Sequence, residues 1–468
     1  MKKKILLFVC AILCAGAMSA QVDKPICFTN TGVKNAYVRL QVHLKDEEDL
    51  DGQFQASYDA VDWFDIEDFF LPDKSWYYIT EKLIPLSPNG KVYFKNKSFE
   101  HNYPDKYVKF ETSGDTAIAV SGNVMSMVKE SALPTNAFFY LFQNCKQIVD
   151  ASELVLPAKE LTSQCYAMMF DGCTNLVSAP KVLPATNLKT QCYSYMFNGC
   201  TSLIESPIIC AKNPNGDRSM EKMFEGCTSL KKITVMFENW NGEASAINTW
   251  GTGIPSGVKF VCPTGLDLGD ENAIIPEGCT KVDAKFLSVS NCGWASVCYN
   301  KPVEIPTGVK AYYATLVDGN KVVLAECVGV IPASEGVMVK ATQEVVSFEV
   351  SENWDNPISN YNMFNGATSD TDVYPYSVYV LNAGKSTPER PVLSWFTGYS
   401  IPANKAYLPA PESSEGKLEV VFADEPTGIK SIAPAMSETK AMYNLQGVRV
   451  NQNYNGIVIM NGKKYLVK

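Results

Sequence analysis

The sequence predicts an α+β multidomain protein in which a solenoid of short repeats stands between two β-sandwich-like domains, with a small C-terminal β tail. Three observations carry this. Met169-Phe170-Asp171-Gly172-Cys173-Thr174-Asn175-Leu176 returns as Met196-Phe197-Asn198-Gly199-Cys200-Thr201-Ser202-Leu203 and as Met223-Phe224-Glu225-Gly226-Cys227-Thr228-Ser229-Leu230, each 27 residues after the last. A fixed period of this length marks one structural unit copied along an axis. On either side the periodicity switches to alternation of apolar and polar residues, the mark of strands that bury one face. The last 27 residues, Met442 to Lys468, read as a compact hairpin-like tail around Asn444-Leu445-Gln446-Gly447 and Asn461-Gly462.

In chain order, residues 1–20 read as a secretory signal peptide: Met1-Lys2-Lys3-Lys4, an apolar stretch over 5–17, then Ser19-Ala20 before Gln21. Cys14 follows Ala11-Ile12-Leu13 rather than small residues, so a lipid anchor is not expected. No later stretch reaches the roughly 20 apolar residues of a membrane-spanning helix. The expected mature chain is exported, and without the three signal lysines its formal charge moves from -9 to -12. Such an acidic chain is a poor nucleic-acid partner, because phosphate contacts need clustered Lys and Arg.

Residues 21–130 form the first strand-rich domain. Tyr37-Val38-Arg39-Leu40-Gln41-Val42 and Lys91-Val92-Tyr93-Phe94-Lys95 alternate, the latter after the turn Pro88-Asn89-Gly90. Aromatic clusters at Trp63-Phe64 and Trp76-Tyr77-Tyr78 are available to fill the space between two sheets.

The repeat block occupies 131–281. A degenerate first copy, Leu141-Phe142-Gln143-Asn144-Cys145-Lys146-Gln147-Ile148, precedes the three clear ones, with 28 residues from Cys145 to Cys173 and 27 at each later step. Leu156-Pro157-Ala158 recurs as Leu183-Pro184-Ala185, and Gln164-Cys165-Tyr166 as Gln191-Cys192-Tyr193, but the third copy has Cys210-Ala211-Lys212 where Leu-Pro-Ala is due. One coil orders more backbone than its few apolar side chains can offset, so copies must stack and cover one another's faces. The expected repeat core is Phe142, Cys145, Phe170, Cys173, Leu176, Phe197, Cys200, Leu203, Phe224, Cys227 and Leu230. The segment before each Met-Phe, such as 163–169, suits a helical turn, and the segment after Cys-Thr-x-Leu a short strand. Beyond Leu230 the spacing dissolves into an expected cap. Residues 282–424 return to short strands, such as Val309-Lys310-Ala311-Tyr312-Tyr313-Ala314 and Tyr376-Ser377-Val378-Tyr379-Val380-Leu381, and 425–468 hold a linker and the tail.

Thirteen of the fifteen cysteines lie beyond the signal, an odd number, so at least one stays free or pairs between chains. No Cys-x-x-Cys occurs, which argues against zinc ribbons and thioredoxin-like centres. In stacked coils, side chains of one column point the same way rather than at each other. A reduced, buried ladder is therefore expected for Cys145, Cys173, Cys200 and Cys227, and likewise for Cys165 and Cys192.

The two histidines, His43 and His101, both lie in the first domain and read as surface strand residues. The run Lys45-Asp46-Glu47-Glu48-Asp49-Leu50-Asp51-Gly52 lacks the EF-hand ligand pattern and reads as a solvated loop. No Gly-rich phosphate loop, Gly-x-Ser-x-Gly or His-Glu-x-x-His is present. No catalytic, cofactor or metal residue is therefore expected, although two carboxylates brought together by the fold remain open to sequence reasoning.

Met-Phe-x-Gly-Cys-Thr-x-Leu followed by Ala-Pro and Leu-Pro-Ala, as in Met169 to Ala185, resembles the BspA-like leucine-rich repeat proteins of Bacteroidetes surfaces. Tyr443-Asn444-Leu445-Gln446-Gly447-Val448-Arg449-Val450 with Gly456-Ile457-Val458-Ile459-Met460-Asn461-Gly462-Lys463-Lys464 resembles the C-terminal sorting domains of type IX secretion. The resemblance implies a leucine-rich-repeat solenoid displayed at or released from the cell surface. Its function would be adhesion to a host or microbial surface protein or glycan, without catalysis, cofactor, nucleic acid or membrane-spanning segment. The alternative is a secreted glycan-processing enzyme or carbohydrate-binding accessory protein.

Overall fold

The computed structural model describes residues 24–44, 49–70, 77–80, 82–101, 106–130, 132–241, 244–269, 275–352, 358, 362–411, 416–423, 442–444, 449–450, 456–460 and 463–467. The signal segment 1–20, residues 45–48 of the acidic run and the linker around 426–436 lie outside them.

The expected α+β leucine-rich-repeat solenoid is corrected by the secondary structure. Strands make up 39 % of the chain and helical residues 3 %; among the described residues there is no α-helix, and the helical residues are short 3-10 turns such as Val124–Met127. The chain is a β protein. It divides into two compact units at Val420/Val421.

The first unit begins with two sheets. One runs Ile148–Val155, Ile118–Asn123, Ile26–Asn30, Lys91–Asn96, Phe54–Ser57, Phe64–Ile66; the other orders Phe69–Phe70, Tyr77–Thr80, Ala36–His43 and Ile84–Leu86, with Tyr107–Ser113 also on Ala36–His43. Alternation does the sorting: Ala36, Val38, Leu40 and Val42 are buried while the residues between them are not. Phe28 of one sheet meets Phe110 of the other at 4.9 Å between ring centres, and its sheet neighbour Phe94 at 5.6 Å.

The repeats stack directly on this pair of sheets, and the core is continuous from Ile26 to Leu266. Phe110 lies beneath Phe142 at 5.9 Å, and the column rises through Phe170, Phe197 and Phe224 at 5.2, 5.5 and 5.8 Å, ending on Trp250 at 6.2 Å. Where helical turns are expected, the backbone does something else. The N–H groups of Tyr166, Met168, Phe170 and Gly172 donate to Cys192, Ser194, Met196 and Asn198 of the next coil at 2.8–3.0 Å. The alternate N–H groups, of Ala167, Met169, Asp171 and Cys173, each reach back three residues at 3.0–3.3 Å.

This pattern needs a left-handed residue every fourth position, and Gln164, Met168 and Gly172 have φ of 56°, 54° and 72°. A helix would spend its N–H groups within the coil. Here half of them tie coil to coil, so a coil lacks its bonds until its neighbour is in place. The third left-handed position is the Gly of Met-Phe-x-Gly, at φ 72°, 68° and 74° for Gly172, Gly199 and Gly226.

After each turn the chain runs as a parallel strand: Glu205–Ile209, Lys232–Val235, Lys259–Pro263, Thr280–Ser288. Thr280–Ser288 then pairs antiparallel with Val345–Glu349, so the sheet of the coils passes into the following region without a break. That region holds a nine-stranded sheet in the order Trp294–Val297, Val337–Lys340, Lys310–Asp318, Lys321–Cys327, Lys417–Phe422, Val392–Trp395, Val378–Leu381, Lys405–Pro409, Asn365–Ala367. It curls almost onto itself, and Cys298 N–H donates to the Asn404 carbonyl at 3.3 Å. The second unit is a four-stranded antiparallel sheet, Arg449–Val450, Met442–Asn444, Gly456–Met460, Lys463–Val467.

Candidate functional site

The eleven residues of the expected repeat core, Phe142, Cys145, Phe170, Cys173, Leu176, Phe197, Cys200, Leu203, Phe224, Cys227 and Leu230, are 0–1 % exposed. They are scaffold, with no surface left for a ligand. The cysteines have a specific task within it. Each thiol donates to the carbonyl of the Phe in an earlier coil or strand: Cys145 to Phe110 at 3.2 Å, Cys173 to Phe142 at 3.0 Å, Cys200 to Phe170 and Cys227 to Phe197 at 3.1 Å. All thirteen are free thiols. Burial pushes Cys145 and Cys227 up to about 12 and Cys173 and Cys200 well above the ordinary thiol value.

The opposite side of the parallel strands is the open one. Asp150, Ser178, Glu205, Lys232 and Lys259 pair in register along it, one from each level. At these positions the copies differ, and the charge passes from acidic at one end to basic at the other. Two adjoining hollows of about 650 and 750 Å³ lie over this column and share Ile204, Glu205, Lys232 and Glu349. The far wall comes from 304–307 and from Gln343, Ser347 and Glu349.

The groove holds its charges in a chain. Glu205 meets Lys232 at 2.7 Å, and Glu349 holds Lys259 at 2.8 Å and Lys232 at 3.9 Å. The Glu349 hydrogen bond raises the Lys259 ammonium above its usual value. Glu205 and Glu349 are thus each committed to lysine, whereas glycoside hydrolysis needs one carboxyl to stay protonated and another free to attack or activate water. The Ser347 hydroxyl on the far wall has no hydrogen-bond partner among the described residues. The floor is apolar at Val177 and Ile204 and polar at Ser178 and Thr234. Such a mixed surface suits an extended, partly charged ligand.

The histidines stand apart from this groove, and His101 departs from the expected surface placement, whereas His43 is half-buried at the end of the strand Ala36–His43. His43 stacks on Tyr107 at 4.5 Å. His101 is 3 % exposed, its Nδ1 lies 3.5 Å from Glu130 Oε2, and its backbone N–H donates to Glu130 Oε1. Burial pushes the Glu130 carboxyl up, but the His101 side chain and the backbone N–H groups outweigh it and hold the group down at about 2. The fold closes over His101 because its neighbour Phe99 is fully buried and packs edge-on against the imidazole at 4.9 Å. Among the described residues no group of three or more His, Cys, Asp or Glu side chains is placed to hold a metal ion. No helix among them is long and apolar enough to cross a membrane.

A fifth coil is absent from the expected repeat set. Its carbonyls at Ala246, Asn248, Trp250 and Thr252 accept from Met220, Lys222, Phe224 and Gly226, so the ladder goes on one level further. The signal for it is present in the sequence: Gly253 follows Gly226 by 27 residues, with Trp250 where Met is due and Gly251 where Phe is due. This level brings Lys259 to the groove and completes its basic end.

No protein-family model matches the chain, and no curated protein or solved structure is similar to it.

Proposed function

We propose that this chain is an exported protein of the bacterial surface or its surroundings, akin to BspA-like surface proteins, that binds a host or microbial protein or glycan and performs no catalysis. The observation that carries this reading is the graded column Ser178, Glu205, Lys232, Lys259 at the floor of the groove. The core column keeps Phe from Phe142 to Phe224, while this outer column passes from Ser through Glu to Lys, as a surface shaped for a particular partner would. The lysine-rich leader and the sorting-like tail support export. Glu205 and Glu349 at the centre of the groove are held by lysines, which favours binding over hydrolysis.

Val177 is exposed in the groove and Lys181 lines its edge. A charge introduced at one and reversed at the other, Val177→Asp with Lys181→Glu, leaves the core columns untouched. The mature protein displayed against extracellular-matrix proteins and glycans is expected to bind saturably, and the double variant to lose about tenfold or more in affinity. Turnover of a glycan without saturable binding would sink the reading, as would full affinity in the variant.

A further inference from the structure

Thirteen large apolar or aromatic side chains are exposed among the described residues. Three of them are tyrosines on neighbouring segments, 371–377 and 396–401: Tyr374 is 81 % exposed, Tyr399 74 % and Tyr376 58 %. Their backbones are tied together. Thr371–Asp372 pairs antiparallel with Ser400–Ile401, Val373 N–H donates to the Tyr399 carbonyl at 2.9 Å, and Tyr376 N–H donates to the Phe396 carbonyl at 2.8 Å.

The turn that presents them is pinned. Both the N–H and the hydroxyl of Ser377 donate to the Tyr374 carbonyl, at 3.1 and 2.6 Å. Tyr376 is held at φ 63°, a left-handed conformation that an aromatic residue adopts at a cost, and its ring stands edge-on to Trp395 at 5.6 Å. Rings as exposed as those of Tyr374 and Tyr399 add little to the core. A fixed backbone with displayed aromatic faces is instead a preorganised surface, where contact area comes at little entropic cost.

The residue types select the ligand. Of the exposed large side chains here, all are tyrosines and none is Leu, Ile or Phe, so the surface combines flat apolar faces with hydroxyls. The adjoining Asp370, Asp372, Ser377 and Thr397 are exposed and offer hydrogen-bonding groups. Carboxylates disfavour an anionic ligand. We infer that Tyr374, Tyr376 and Tyr399 form a platform for neutral carbohydrate, stacking on the apolar faces of pyranose rings while the neighbouring polar groups meet sugar hydroxyls. The platform is separate from the groove and does not depend on it.

Affinity electrophoresis of the mature chain through gels containing soluble neutral polysaccharides (a β-glucan, a mannan, a xylan, a galactan and starch) tests this. Retarded migration in at least one is expected. The pair Tyr374→Ala with Tyr399→Ala should lose about tenfold or more of that affinity, while Tyr374→Phe with Tyr399→Phe stays within about threefold. Both pairs alter exposed side chains, and an unchanged unfolding midpoint checks that the fold is intact. The groove variant, Val177→Asp with Lys181→Glu, should be retarded as much as the parent is, each measured against its own mobility in a gel without polysaccharide. Unretarded parent protein in every gel overturns the inference, as does an alanine pair that binds like the parent or a phenylalanine pair that fails like the alanine one.

Discussion

The stacked coils and the nine-stranded region use the same currency of backbone pairing and side-chain burial, but they distribute it differently. In the coils a residue's partners sit about one repeat away at every level: Tyr166 bonds Cys192, Tyr193 bonds Ser219 and Phe224 bonds Trp250. In the nine-stranded region the separations follow no period. Trp294 Nε1 reaches the Thr387 carbonyl at 3.1 Å, Glu419 N–H reaches Asn320 at 2.7 Å and Cys298 reaches Asn404. A coil position therefore carries one job repeated along a column, and neighbours in the column share it. A position in the other region carries a job of its own.

The largest test of that contrast is Phe197→Ala. It removes the ring between Phe170 at 5.5 Å and Phe224 at 5.8 Å, and a loss of about 3–5 kcal/mol is expected from denaturant unfolding. Combined with Phe170→Ala, the two losses should depart from additivity by about 0.5–3 kcal/mol; combined with Leu408→Ala across the molecule, they should add to within about 0.5 kcal/mol. Strict additivity inside the column would break the comparison.

Glycines sharpen it next. A Cβ at Gly366 would lie 2.2 Å from Cys298 Sγ and 2.5 Å from the Ser334 carbonyl oxygen, so Gly366→Ala should cost about 1–3 kcal/mol by overpacking. A Cβ at Gly199 meets nothing nearer than 3.9 Å, and only its φ of 68° opposes a side chain. Gly199→Ala should cost about 1–2 kcal/mol. Thermal unfolding of the two variants side by side checks the order, and a reversed order would show that the coils are the tighter packed.

Alkaline titration gives a smaller effect at ordinary pH. The folded thiols of Cys145 and Cys227 stand at about 12 against 9.0 for an ordinary thiol. Their stabilisation is complete below pH 9 and is lost as pH rises through about 12, because the unfolded chain ionises first. The unfolding midpoint is expected to fall across that window, and to fall less steeply in Cys145→Ala with Cys227→Ala. The smallest effect is expected for Glu349→Gln, which releases Lys259 and Lys232 from a partly solvated site. It should cost no more than about 1 kcal/mol, and the cost should shrink as salt is raised. A larger, salt-independent loss would mean that the link between coils and far wall is structural.

Particular residues show what sequence reasoning can reach here. The spacing of Phe170, Phe197 and Phe224 is enough to place them in one column, because side chains repeated at a fixed interval can bury themselves only against their equivalents. The backbone that carries them is a different matter. Tyr166, Met169, Phe170 and Cys173 recur at three- and four-residue intervals, as on one face of a helix, yet a chain with a left-handed residue at every fourth position returns side chains to the same face equally well. Apolar spacing cannot tell the two apart. Gln164, Met168, Tyr195 and Lys222 are not residue types that announce a left-handed conformation, so the α+β expectation fails on their account. The buried place of His101 is hidden in the same way, since Glu130 is 29 residues distant.

The sequence by itself determined the period, the stacked residues and the positions at which the copies differ, because these depend on interval and residue type alone. Tertiary structure decided everything that depends on distant segments meeting. Glu349 crosses from the following region to close the groove over Lys232 and Lys259, and the pairing of Thr371–Asp372 with Ser400–Ile401 gathers three tyrosines. Hydrophobic spacing encodes which face turns inward; it carries no record of which strand of a long antiparallel sheet will lie beside which.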